Sequence, residues 1–138
     1  MDKNLTEKVL KLKFEVFDNF TIQVVYTTDI VNTVERISNS YGLNESVGPS
    51  CCGCHISIPT RNFSFIIVPY KGDVNSIVHE SYHAVCNLFK YVGAKHEEEL
   101  FAYHLDYIVG RILKYHYDFI SPELEKLDKE LDKLDNIK

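Results

Sequence analysis

VHESYHAV, residues 78–85, places two histidines four apart, with a glutamate directly after the first. Apolar residues recur around it at helical spacing, at Val74, Ile77, Val78, Val85 and Phe89, so the segment reads as a helix. At 3.6 residues per turn, His79 and His83 leave the same face about one turn apart, close enough to bind one ion. Glu80 is rotated by about 100° from His79, beside such an ion rather than aimed at it. A carboxylate so placed can take the proton of a water that the ion holds. The H-E-x-x-H pattern therefore divides labour between two ligands, His79 and His83, and one base, Glu80. Ser81 and Tyr82 bring no competing charge. The plain alternative is a helix carrying two partly buried, hydrogen-bonded histidines.

Asp73 is a good N-cap for this helix and Gly93 a good stop, which bounds it at about Val74 to Tyr91. Upstream, LKLKFEVF (10–17) alternates strictly, with Leu10, Leu12, Phe14 and Val16 on one face and Lys11, Lys13 and Glu15 on the other. That is the pattern of a half-buried strand. Asp18-Asn19 interrupts it, and Phe20, Ile22, Val24 and Tyr26 alternate again, giving a β-hairpin. From Thr28, a capping residue, Ile30, Val34, Ile37 and Tyr41 switch to helical spacing until Gly42. Residues 43–54 contain Gly48, Pro49 and Gly53 and read as loop. HISI and FSFIIVPY flank Pro59-Thr-Arg-Asn62 as a second hairpin, its later strand apolar enough to be central in a sheet. A second helix is expected from Glu97 to Tyr117, reached through a short turn at 91–96. A third should open at Ser121-Pro122, with Ser as cap and Pro at the first helical position.

The expected fold is α+β: a small antiparallel or mixed sheet of about four strands, the HExxH helix, a ligand helix and a C-terminal amphipathic helix. The domain would span residues 1–120. Residues 121–138 would form a helix of the same domain or a docking helix. The 138 residues suffice for one buried core, with 45% hydrophobic and 25% charged residues, ordinary values for a globular chain. A net charge of −5 argues against nucleic acid or anionic membrane as partner, since both reward clustered Lys and Arg. No apolar run approaches the roughly 20 residues of a membrane span. MDKNLTEKVLKLKF has no apolar stretch followed by a cleavage site, and the expected location is cytoplasmic.

A catalytic zinc needs a third protein ligand and one open position. KHEEELFAYHLDY, in the next helix, supplies Glu98 and Glu99 as donors, and Ala102 is small enough to let the two helices lie close. Helical spacing alone does not choose between the two glutamates. Glu97 reads as a first-turn residue favoured by the helix dipole.

HESYH, then about 16 residues, then ELFAYHLDY resembles the HExxH…ExxA layout of gluzincin metallopeptidases. It is most similar to the small zinc metallopeptidase-like proteins encoded by bacteriophages and bacterial mobile elements. The resemblance covers about residues 10–117, its specific part 78–107. It implies a minimal zincin with Zn2+ on His79, His83 and Glu99, Glu80 as general base, and a peptide or protein substrate lying along a strand edge. Ser76, three before His79, departs from the Thr or Val of many members. A donor to the oxyanion is usual, and Tyr103, His104, Tyr70 and His55 all qualify. The rival readings are a zinc-binding but non-hydrolytic assembly or interaction protein and a metal-free helical module.

Cys51, Cys52, Cys54 and His55 are too crowded to close a tetrahedral site alone, though Cys86 could join. A loop with incidental reduced thiols is the simpler reading. In the tail, Leu124, Leu127, Leu131 and Leu134 form a two-heptad seam, too short for a stable coiled coil by itself. Residues 122–134 therefore either pack on their own domain or serve self-association or partner docking.

Overall fold

The computed structural model describes residues 5–94 and 97–135. Strand β1 (Glu7–Phe14) pairs antiparallel with β2 (Phe20–Thr27), with Phe14 opposite Phe20. Helix α1 (Ile30–Ser40) follows. Strands β3 (Cys54–Ser57) and β4 (Phe63–Pro69) form the second hairpin. Strand β4 lies parallel to β2, so the sheet is mixed, in the order β1-β2-β4-β3. Helices α2 (Val74–Val92) and α3 (Glu98–Tyr115) come next, then a π-helical turn (His116–Ile120) and α4 (Ser121–Asp135). The expected turn at 91–96 falls partly on residues 95–96, outside the described residues.

Alternation along the central strands decides which helix covers which face. Ile22, Val24 and Tyr26 of β2, with Ile66 and Val68 of β4, join Ile77, Ala84, Val85 and Leu88 of α2 and Phe101, Ile108 and Ile112 of α3 in one core. Val25, Phe65 and Ile67 point the other way and pack with Ile30, Val34 and Ile37 of α1. At β2 and β4 the sheet is thus buried on both sides, which is why β4 is apolar from Phe65 to Pro69. Each such side chain removed from water contributes about 1.5–3 kcal/mol. No helix among the described residues is long and apolar enough to cross a membrane.

Three expectations are corrected. The first strand ends at Phe14, and Glu15–Phe17 form a 3-10 turn, so Val16 is 92% exposed instead of buried. Asp18 and Asn19 both take φ of 55°, and the reversal needs the residues before them as well. The cap of α1 is Asp29, whose carboxylate accepts from the Asn32 N–H at 3.1 Å; Thr28 stands one residue too early. Finally, α4 begins at Ser121 as expected, but Ser121 is helical and not a cap, and the helix runs on from the π turn without a break. The φ and ψ of Ser121 are −58° and −44°, and its N–H reaches back to the His116 carbonyl. Pro122 has no N–H and its ring crowds the preceding turn. The wide π turn absorbs this without breaking the helix.

Candidate metal site on the HExxH helix

The ends of α2 are as the sequence implies. The Asp73 side chain accepts from the Ser76 N–H at 2.7 Å, and Gly93 closes the helix in the left-handed region at φ 68°. Between them, Ile77, Ser81, Ala84, Val85 and Leu88 face the sheet and α3, which turns His79 and His83 outward. Ser81 is accounted for structurally, its hydroxyl donating to the Ile77 carbonyl at 2.6 Å.

The two histidine Nε2 atoms stand 3.2 Å apart, with ring centroids at 4.8 Å and planes at 77°. Two zinc–nitrogen bonds of about 2.0–2.1 Å at a tetrahedral angle would separate the nitrogens by roughly 3.3 Å. The observed convergence therefore fits two ligands of one ion, and equally a hydrogen bond from one neutral imidazole to the other. Glu80 sits between this pair and the loop before β3. It is 8% exposed, and its Oε1 lies 4.0 Å from His79 Nε2. Burial raises its proton affinity, while His79 and His83 pull in the opposite direction.

Gly53 explains how a glutamate can be buried there. A Cβ at that position would stand 3.0 Å from Glu80 Cγ and 3.6 Å from Val68 Cγ1. Cys52, Gly53, Asn75, Ser76, His79 and Glu80 line a shared hollow of about 300 Å³. Spacing within α2 reveals nothing of this wall, because it arises from placing β3 beside the helix. Asn87 ties the same strand to α2, its amide donating to the Ser57 hydroxyl at 3.2 Å.

His55, on the edge strand β3, lies nearly parallel to His83, with centroids 6.4 Å apart and planes at 20°. Its Nε2 is enclosed and has no hydrogen-bond partner. Burial first, and His83 second, hold its pKa down at about 4, so the ring is neutral. An imidazole nitrogen with no hydrogen-bond partner among the described residues thus belongs to a ring that stacks on His83.

The third ligand is not brought together with the pair. Glu97 is the N-cap of α3, its carboxylate accepting from the Glu99 and Leu100 N–H groups at 3.2 and 2.8 Å. Glu98 and Glu99 are exposed in the first turn. Glu99 borders a groove with Val78, Ala102, Tyr103 and Asp106, separate from the hollow at Glu80. Ala102 is exposed, and it is Phe101 that packs on α2, with its ring 5.2 Å from Tyr82 and 5.4 Å from Phe89. Phe101, Leu105, Ile108 and Ile112 recur at helical spacing, a signal that identifies the packed face of α3. Among the described residues no three His, Cys, Asp or Glu side chains are grouped closely enough to hold a metal.

The oxyanion candidates separate clearly. His104 donates from Nδ1 to the Leu100 carbonyl, 2.8 Å away, and packs against Phe17 and Phe89. Tyr70 is buried with its hydroxyl donating to Glu123. Tyr103 is 68% exposed on α3. Of the four, His55 is the one that stacks on a histidine of the pair, His83, among the described residues. The thiols of Cys51, Cys52, Cys54 and Cys86 are all free. Cys51 donates to the Gly53 carbonyl at 3.0 Å, and burial pushes the Cys54 thiol up to about 12, with Glu80 adding to the effect. Cys54 is therefore held as the neutral thiol by its surroundings.

No family model, curated protein or solved structure matches this chain.

Proposed function

We propose that this protein is a zinc-dependent peptidase of the minimal zincin type, resembling the HExxH proteins of phages and mobile elements. The observation that carries the reading is the convergence of His79 and His83 at 3.2 Å beside a buried glutamate. His79 and His83 would hold the ion; the resemblance assigns Glu99 as the third ligand, which in this structure borders a separate groove and would have to approach the pair. Zinc, when bound, supplies a Lewis acid that polarises the scissile carbonyl and acidifies water. Glu80 then accepts the proton of the attacking water and passes it to the leaving amine. The wall made by Cys52 and Gly53 keeps Glu80 in one rotamer and out of bulk water. An extended substrate would lie along β3, whose outer edge has no neighbouring strand among the described residues.

The second reading keeps zinc and drops hydrolysis, leaving a metal-bearing interaction protein. The two readings share every ligand, so the separation of Glu99 from the histidine pair bears on both alike, and they differ in whether Glu80 is used. Incubation with a mixture of unstructured peptides decides between them. Cleavage abolished by a chelator and restored by zinc supports the peptidase. Zinc bound without any cleavage supports the interaction protein.

Gly53→Val tests the wall. The added methyls displace Glu80, and hydrolysis is expected to fall about 10–100-fold at unchanged zinc affinity, as misplaced catalytic groups do. Undiminished cleavage would show that Glu80 does not need this support.

A further inference from the structure

Among the described residues, helix α4 is attached to the domain through its first half. Leu124 packs against the core, Tyr70 donates to Glu123 at 3.2 Å, Lys8 pairs with Glu123 at 3.5 Å, and Lys71 approaches Asp128 at 4.0 Å. No hydrogen bond or ion pair joins residues 129–135 to the rest of the described residues. No residue of the helix is buried, and Leu127, Leu131 and Leu134 are 40%, 58% and 62% exposed. Leu127, Leu131 and Leu134 thus continue the seam beyond Leu124 with nothing over them among the described residues.

The charges beside the seam say what fits it. With Leu124 and Leu131 at a, and Leu127 and Leu134 at d, the flanking e positions are Asp128 and Asp135 and the flanking g positions Glu123 and Glu130. All four are acidic. Lys126, Lys129 and Lys133 fall at c and f, away from the seam. A second copy would meet acid with acid in either orientation: g against e in a parallel pair, g against g and e against e in an antiparallel one. An anionic membrane would be repelled in the same way.

We propose that α4 docks a helix of another protein whose apolar seam is flanked by lysine or arginine. The leucines supply the contact area and the acidic borders select the partner and exclude the second copy. Zinc plays no part, so the proposal stands or falls apart from the peptidase reading.

The test uses the full chain and two synthetic three-heptad peptides with leucine at a and d, one with lysine and one with glutamate at e and g. Sedimentation should show a monomer. The lysine peptide should bind, with an affinity that falls as salt is raised, and the glutamate peptide should bind at least about tenfold more weakly. The double variant L131D/L134D, altered only at exposed positions, should lose the lysine peptide while keeping the parent's thermal unfolding. A dimer that these substitutions dissociate would overturn the proposal. So would equal binding of the two peptides, no binding of either, or capture by anionic vesicles in preference to the lysine peptide.

Discussion

Glu80→Gln is expected to lower peptide hydrolysis by about a hundredfold to ten-thousandfold while leaving zinc bound. The amide has nearly the shape of the carboxylate and fits against Gly53, so the fold and the histidine pair are not disturbed. It cannot accept a proton at neutral pH, and that is the step assigned to Glu80; general base catalysis is worth about that factor. The buried position also makes the substitution mild for stability, because a neutral amide avoids the desolvation that burial imposes on the charged group. Hydrolysis that survives in Glu80→Gln would assign the proton transfer elsewhere and remove the mechanism proposed here.

His83→Ala is expected to abolish zinc binding at micromolar metal and, with it, all chelator-sensitive hydrolysis. Loss of a ligand should weaken the metal by more than the about 10–100-fold that loss of a supporting group costs. His83 is exposed and makes its contacts with His79, His55 and Tyr82, so stability without metal should change by less than about 1 kcal/mol. Equilibrium unfolding in urea with chelator present separates the two effects. If the variant loses several kcal/mol and the parent binds no zinc, the histidines are structural neighbours and the site is not a metal site.

Much of the architecture is legible in local pattern. Alternation from Phe20 to Val24 and the apolar run of β4 give two strands at their observed places. Asp73 and Gly93 bracket α2 because capping is local chemistry, complete within four residues. What depends on distant parts of the chain is not legible. The parallel pairing of β2 with β4 leaves no mark on either strand's periodicity. The wall over Glu80 comes from a loop 27 positions earlier in the chain, as the numbers Gly53 and Glu80 show. Val16 continues the alternation of the first strand perfectly and is nonetheless exposed, because a hairpin must spend residues on its reversal. Glu99 is a different case. H-E-x-x-H carries its own geometry, since both imidazoles sit on one helix, but the third ligand depends on how α3 is rotated and how far its first turn stands from α2. Phe101 sets that rotation, and it leaves Glu99 bordering Val78 rather than the histidines.

The most direct measurement is the metal content of the chain, purified without chelator or metal-affinity tag, by elemental mass spectrometry, beside His83→Ala prepared identically. Close to one zinc per chain in the parent and none in the variant is the expected result. A parent that carries no zinc and takes up none on titration would contradict the account at its centre.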